Sequence, residues 1–223
     1  MKNYFKVLIL LFSILVLIVG CNQQWSESDV EGITSATESR YREKEIREYE
    51  GARLDPTIGP RDNSIKGIQN VNIETYSLKI TGLVDKPVDL KYQDVLGLDP
   101  YERKITLYCV EGWDATILWK GVLLEDLINI SGMSPEANTV IFHAVDGYTT
   151  SLPLETIIDN ELILAYSANG LELPPEMGYP FIVVAEDKLG YKWARWVSEI
   201  ELSDDENYRG FWEQRGYSNE ADI

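Results

Sequence analysis

From residue 76 to residue 202 the sequence is a succession of short apolar runs, most of them alternating with polar residues and separated by turn signals. A chain patterned this way cannot form long helices or a regular βαβ wheel; it has to build sheets from short strands. Residues 76–82 alternate and read as a strand, Asp85-Lys-Pro87 as a turn, 88–92 as a short strand and 93–98 as a helical turn. Residues 104–110 read as a strand ending at Glu111-Gly112, and 121–130 place Val122, Leu123, Leu127 and Ile130 at near-helical spacing. Residues 139–145 and 148–152 flank Asp146-Gly147, a hairpin signal. A short helix is expected over 154–159 and a strand over 162–166, ending at the Asn169-Gly170 turn. An apolar strand is expected over 180–185 and a long alternating strand over 191–202. Strands with short helices between them define an α+β fold.

The region before this pattern has a different character. Lys2 and Lys6 precede an apolar run from Val7 to Val19 that only Ser13 interrupts, and Gly20-Cys21 follows. A charged n-region and a short apolar stretch are the parts of an export signal; the stretch is short for a bilayer-spanning helix. Leu17-Ile-Val-Gly-Cys21 resembles a bacterial lipobox, which implies cleavage before Cys21 and lipidation of that cysteine. The n-region has no Arg-Arg pair, so the signal reads as the Sec type. Residues 22–39 are polar and read as a spacer, and 40–50 alternate charge sign and read as a short solvated helix, with Tyr41 and Tyr49 as candidates to dock on the domain. Asp55-Pro56 and Gly59-Pro60 mark the approach to the core. The expected organisation is a lipoprotein signal over 1–20, a lipidated tether over 21–62 and one domain over 63–223. The mature protein is then expected outside the cytoplasm, held to the outer face of the membrane by the lipid on Cys21.

Charge and composition narrow the function. The formal net charge is −17, from 37 acidic and 20 basic residues. Removing residues 1–20 takes away two lysines and no acid, so the mature chain is more acidic still. Such a chain does not grip nucleic acid, because phosphates need a basic face. With 2 Cys and 1 His, there is no disulfide scaffold, no His-rich or Cys-only metal site and no Cys-x-x-Cys-His haem attachment. Once Cys21 carries lipid, Cys109 is the remaining thiol. On residue type alone it reads first as a small buried apolar side chain.

The residues around it are more specific. Thr106-Leu-Tyr-Cys-Val-Glu-Gly-Trp-Asp114 and the stretch from Trp119-Lys-Gly to Leu127 resemble the sulfite-oxidase-type molybdopterin-binding domain. The resemblance continues through Val145-Asp-Gly-Tyr-Thr-Thr-Ser-Leu-Pro-Leu154, residues 164–178, Gly190-Tyr-Lys-Trp-Ala-Arg-Trp-Val197 and residues 199–217. It is nearest to the haem-free branch, which includes periplasmic methionine-sulfoxide reductase catalytic subunits. The resemblance implies a strand-dominated sulfite-oxidase fold with short helices, and a molybdenum–molybdopterin cofactor whose metal is bound by Cys109. A soft thiolate suits molybdenum also held by dithiolene sulfurs. It further implies Glu111 as a carboxylate beside the metal, able to relay a proton, although Glu111 reads equally as a solvated turn acid. Lys188, Gly190, Tyr191, Lys192 and Arg195 are the implied cofactor contacts. Three positions depart from the family pattern. Ile182 stands where many relatives have Arg, Met177 matches an Asn of the reductase branch, and Glu186 brings an acid near the expected phosphate site.

Two functions follow. One is a membrane-tethered molybdenum oxidoreductase moving an oxygen atom to or from a small substrate such as a sulfoxide. With no haem, flavin or iron–sulfur motif in the sequence, it would exchange electrons with a separate membrane redox partner. The other is a cofactor-free module of the same fold that binds a surface ligand, with Trp113, Trp119, Tyr148, Trp193, Trp196 and Trp212 lining a cleft. A monomer is expected in either case.

Overall fold

The computed structural model describes residues 27–59 and 63–223. The expected signal over 1–20 and Cys21 lie outside the described residues. Residues 39–223 form one compact unit.

The described chain begins with helix α1 (Glu27–Lys44). Residues 27–39, expected to be spacer, are therefore helical. The run has no proline, and Arg42 and Lys44 complement the dipole in its last turn. Where the sequence suggested helix through residue 50, a two-stranded hairpin follows instead, β1 (Glu48–Tyr49) with β2 (Ala52–Arg53). Its turn needs a left-handed pair, Glu50 and Gly51. The compact unit thus takes in residues 39–59 as well as the later region. Leu54 is fully buried. Asn169 donates to the Asp55 carbonyl at 2.8 Å and accepts from the Leu118 amide at 3.0 Å. Tyr41 docks as expected, with its hydroxyl on the Glu172 carbonyl.

Two five-stranded sheets follow. The first has the order β10–β9–β6–β5, made of β5 (Tyr101–Tyr108), β6 (Asp114–Leu123), β9 (Ile163–Ala168) and β10 (Leu171–Glu172), with β11 (Ile182–Val184) also pairing β9. The second has the order β4–β3–β12–β7–β8 and comprises β3 (Leu78–Gly82), β4 (Val88–Leu90), β7 (Thr139–Ala144), β8 (Thr149–Pro153) and β12 (Val197–Ser203). All its neighbours are antiparallel except β3 and β12, which run parallel with Ile80 opposite Ile200. Short helices α2 (Tyr92–Leu96), α3 (Leu124–Ser131) and α4 (Leu154–Asp159) connect the strands. One continuous core draws Ile117, Trp119 and Val183 from the first sheet and Ile80, Phe142 and Ile200 from the second. Trp119 meets Trp193 at 5.6 Å between ring centroids, and its indole donates to the Ile105 carbonyl.

Two elements differ from the sequence expectation in ways that shape the site. Residues 114–120 had no expected element, yet they form most of β6. The strand bulges between Lys120 and Gly121, where a Cβ on Gly121 would lie 2.2 Å from the Leu164 carbonyl oxygen. The expected long strand over 191–202 is only β12. Before it, residues 190–192 make a 3₁₀ turn and Trp196 adopts φ +52°. That break lets Trp193 pack against Trp119 with the rings tilted by 59° while the Trp196 indole donates to the Pro175 carbonyl at 2.8 Å.

Candidate active site

Cys109 sits where β5 ends. Its amide donates to the Trp113 carbonyl at 2.9 Å, and its carbonyl accepts from Gly112 at 3.0 Å. Gly112, at φ +83°, supplies the left-handed residue that this tight connection to β6 requires. The turn leaves the Cys109 thiol half-buried and outside any disulfide. The small buried side chain suggested by residue type is therefore not what the fold provides. Glu111 lies at the exposed tip of the turn, and the Trp113 indole N–H donates to its Oε2 at 3.2 Å.

The side-chain amide of Asn63 donates to Cys109 Sγ at 3.6 Å. Sequence reasoning did not single out Asn63. It lies far from Cys109 in a stretch of turn formers, where neither spacing nor periodicity marks one Asn for such a contact.

The segment expected to hold the cofactor does lie beside Cys109. Leu189 bridges Tyr108 in parallel register. A Cβ on Gly190 would come within 3.3 Å of the Tyr108 carbonyl oxygen and 3.9 Å of Cys109 Cα, so a glycine allows this close approach. The charged and phenolic side chains of the segment, however, are engaged within the protein. Lys188 pairs with Asp222. The Tyr191 hydroxyl donates to the Ser218 carbonyl at 2.9 Å, and the Tyr191 carbonyl accepts from the Tyr148 hydroxyl. Lys192 is fully buried, and its ammonium donates to Glu213 Oε1 at 2.7 Å, the Ser151 carbonyl at 3.0 Å and Asn219 Oδ1 at 3.2 Å. That satisfies all three of its protons. Burial lowers the Lys192 pKa, and the Glu213 carboxylate works against that shift.

Arg195 points elsewhere, donating to the Glu176 carbonyl at 2.9 Å and lying 4.7 Å from the centre of the Trp196 ring. Gly178, at φ +102°, leaves room for it, since a Cβ there would meet Arg195 Cβ at 2.8 Å. The departures from the family pattern also find places. Ile182 is buried in β11 opposite Ala165, and Met177 packs against the core. Glu186 forms an ion pair with Arg103 at 2.7 Å, so β5 neutralises the acid expected to disturb a phosphate. The aromatic set expected to line a cleft divides in the same way. Trp119, Trp193 and Trp196 are buried, while Trp212 packs edge-on against Phe211 and Tyr217.

Among the described residues no group of three or more His, Cys, Asp or Glu side chains could hold a metal ion. A metal at Cys109 therefore needs donors from a bound organic group, which a dithiolene cofactor provides. The half-buried thiol, facing an amide donor and backed by a glycine, fits that soft-metal end of the group. The anionic end is different, because Lys188 and Lys192 already hold internal carboxylates.

The family model for the oxidoreductase molybdopterin-binding domain matches residues 65–212. The chain belongs to this family. The match spans Cys109, Glu111 and the 187–192 segment. An oxidoreductase of Bacillus subtilis (strain 168), YuiH, is 38% identical over 148 residues, covering 66% of this chain and 74% of its own length. The protein-methionine-sulfoxide reductase catalytic subunit MsrP of Gluconobacter oxydans is 31% identical over 149 residues, covering 59% of this chain and 48% of its own length. This molybdopterin-domain chain therefore spans about half of that second relative. The sulfane dehydrogenase SoxCD from Paracoccus pantotrophus shares the fold, with a TM-score of 0.60 and 25% identity over 62% of this chain and 41% of its own. The molybdopterin-dependent family is one of oxidoreductases, and the strand-dominated fold expected from the motifs is the one found.

Proposed function

We propose that this chain is an extracytoplasmic molybdenum oxidoreductase, tethered to the membrane by a lipid on Cys21. It reduces a sulfoxide or related small oxo substrate with electrons from a separate membrane redox partner. The observation that carries the reading is the half-buried Cys109 thiol, presented at a strand end against Gly190 within a molybdopterin-family match. The likeness to MsrP supports a sulfoxide as the oxo substrate.

In this reading Cys109 holds the metal, and the Asn63 amide stabilises negative charge on its sulfur. The backbone around Gly190 lines the site, since a Cβ there would crowd the Tyr108 carbonyl oxygen at 3.3 Å. Cys109 would hold the cofactor's metal, and the group would supply a two-electron couple for oxygen-atom transfer. In sulfoxide reduction the S=O bond breaks, sulfur takes up two electrons, and the oxygen leaves as water with two protons. Glu111, at the exposed tip of the Cys109 turn and held by the Trp113 indole, is the group placed to pass a proton to the departing oxygen.

Protein purified from a host that loads this cofactor is expected to carry about one molybdenum per chain, and the Cys109→Ser variant none. Metal-free parent protein from such a host would remove the enzymatic reading. The internal pairing of Lys188 and Lys192 favours a second reading, a cofactor-free module of the same fold. That module would stay folded and bind its ligand unchanged in Cys109→Ser. For the tether, Cys21→Ser is expected to abolish incorporation of labelled fatty acid and to release the protein from the membrane fraction.

A further inference from the structure

Lys192 and Glu213 take no part in the chemistry proposed at Cys109, yet they are reactive groups enclosed together. Both side chains are fully buried and form an anchor. The Lys192 ammonium touches a carboxylate, a carboxamide and a backbone carbonyl: Glu213 Oε1 at 2.7 Å, Asn219 Oδ1 at 3.2 Å and the Ser151 carbonyl at 3.0 Å. The Thr150 hydroxyl donates to Glu213 Oε1 at 2.5 Å. Glu213 Oε2 is buried with no hydrogen-bond partner among the described residues.

Asn219 is held against this anchor from both sides. Before it, the Ser218 carbonyl accepts from the Tyr191 hydroxyl at 2.9 Å. The Ser218 hydroxyl accepts from the Glu220 amide at 3.2 Å and the Ala221 amide at 3.4 Å, which closes the turn around Asn219. After it, Ala221 is buried, and its carbonyl accepts from the Leu189 amide at 2.8 Å. The carboxamide is thus kept beside the amine without any cost of bringing the two together at the moment of reaction.

An amine, a carboxamide and a carboxylate enclosed in this way are the reactants for an amide. Burial lowers the Lys192 pKa and so favours the neutral amine, the nucleophilic form. Glu213 is in contact to take the proton, and Oε2 can receive it without breaking an existing bond. We infer that Lys192 and Asn219 join in an intramolecular isopeptide bond, with Glu213 carrying the proton. Lys192 Nζ gives one proton to Glu213 and attacks Asn219 Cγ, forming the Nζ–Cγ bond. Glu213 passes its proton to Nδ2, the Cγ–Nδ2 bond breaks, and the leaving ammonia departs as ammonium with a second proton from Nζ. No oxidant or outside reactant enters. The product ties together residues 27 positions apart in a chain whose Cys109 is in no disulfide. The ion pair with Glu213 is the state from which the bond forms, and its contribution to stability is read on chain that has not yet linked. The bond requires no metal and holds independently of the molybdenum reading.

The test is the intact mass of the full chain, kept folded at neutral pH and then denatured, followed by peptide mapping. The parent is expected to weigh one ammonia less than its sequence requires and to give a branched peptide joining Lys192 to Asn219. Asn219→Ala leaves the Lys192–Glu213 contact in place and is expected to keep its full mass. Asn219→Asp is expected to lose one water instead and to give the same branch. Glu213→Gln, checked for folding by circular dichroism, is expected to link at least about a hundredfold more slowly. A folded parent at full mass overturns the proposal, as does an ammonia loss that persists in Asn219→Ala. So does an ammonia loss without the branched peptide, which a succinimide at Asn219 would give. Cys109→Ser is expected to link as the parent does, so failure of the metal assay and failure of the isopeptide bond are separate results.

Discussion

Replacing Glu213 by alanine tests whether the Lys192 anchor organises this side of the molecule. The Lys192 ammonium has one charged acceptor, Glu213 Oε1 at 2.7 Å, and two neutral ones, and neither side chain of the pair is exposed to solvent. Removing the carboxylate leaves a cation with two neutral partners in a fully buried site, a change that costs about 3–5 kcal/mol. The Thr150 hydroxyl, which donates to Glu213 at 2.5 Å, also loses its acceptor. That loss belongs to the same network and does not simply add. Against it, Glu213 Oε2 is buried without a partner, so removing it relieves one unmet acceptor and moves the loss toward the lower end. Urea unfolding of Glu213→Ala should therefore show a loss of about 3 kcal/mol near neutral pH. The double variant Lys192→Met/Glu213→Leu removes both charges and should recover all but about 1–2 kcal/mol. The pH dependence gives a second check. Burial already depresses the Lys192 pKa, and without Glu213 the native state binds fewer protons than the unfolded state, whose lysine titrates at its ordinary 10.5. The stability of Glu213→Ala should then rise as pH climbs toward that value, while the parent changes less. A Glu213→Ala protein within about 1 kcal/mol of the parent and insensitive to pH would refute the reasoning.

Four further outcomes follow. Cys109→Ser should keep the parent's stability to within about 1 kcal/mol, since the thiol is half-buried at a turn, while losing reactivity toward a thiol reagent in a chain lacking residues 1–21; a large loss of stability would show that Cys109 is a packing residue. Gly121→Ala should cost about 3 kcal/mol by chemical denaturation, because the new methyl would meet backbone on β9; a neutral result would show that the bulge relaxes freely. Arg103→Ala should cost less than about 1 kcal/mol, because its ion pair with Glu186 is one-third exposed on both sides; a thermal melt checks it. Burial raises the Tyr41 phenol to about 12 and raises those of Tyr76, Tyr92 and Tyr148 as well, so the native state holds protons that the unfolded state releases near 10.0. Stability should be intact below that pH and fall above it, and tyrosinate absorbance should rise in two phases, the later one coinciding with loss of circular dichroism.

The sequence was most informative where a local rule decides the structure. Asp146-Gly147 marks the β7–β8 hairpin because the turn requires a positive φ, which Gly147 adopts at +86°. Helix α4 falls on the expected 154–159. The Cys109 turn was legible as a motif. Other features depend on distant partners. Val122, Leu123, Leu127 and Ile130 suggested one helix, whereas the first two end β6 and the helix begins at Leu124, because a continuous apolar run satisfies either periodicity. The alternation over 191–202 looked like one strand, but its tryptophans serve two different neighbours on either side of the break at Trp196. The basic residues at 188 and 192 looked available to an anion. Their carboxylate partners, Asp222 and Glu213, lie more than twenty residues further along the chain, beyond the reach of any local pattern.

The parallel pairing of β3 with β12 sets the order in which the molecule can assemble. The second sheet has β12 at its centre, between β3 and β7, and β12 is the last strand in the chain. Until residue 203 is available, the β3–β4 hairpin and the β7–β8 hairpin have no strand to join them, and the core side of each faces water. Folding of the described domain must therefore wait for nearly the whole polypeptide and proceed through a slow, long-range closure, with its apolar strand faces exposed in the interval. A chain built this way keeps an open, threadable form for longer than one made of local hairpins, and it depends on whatever holds that form soluble until the last strand arrives.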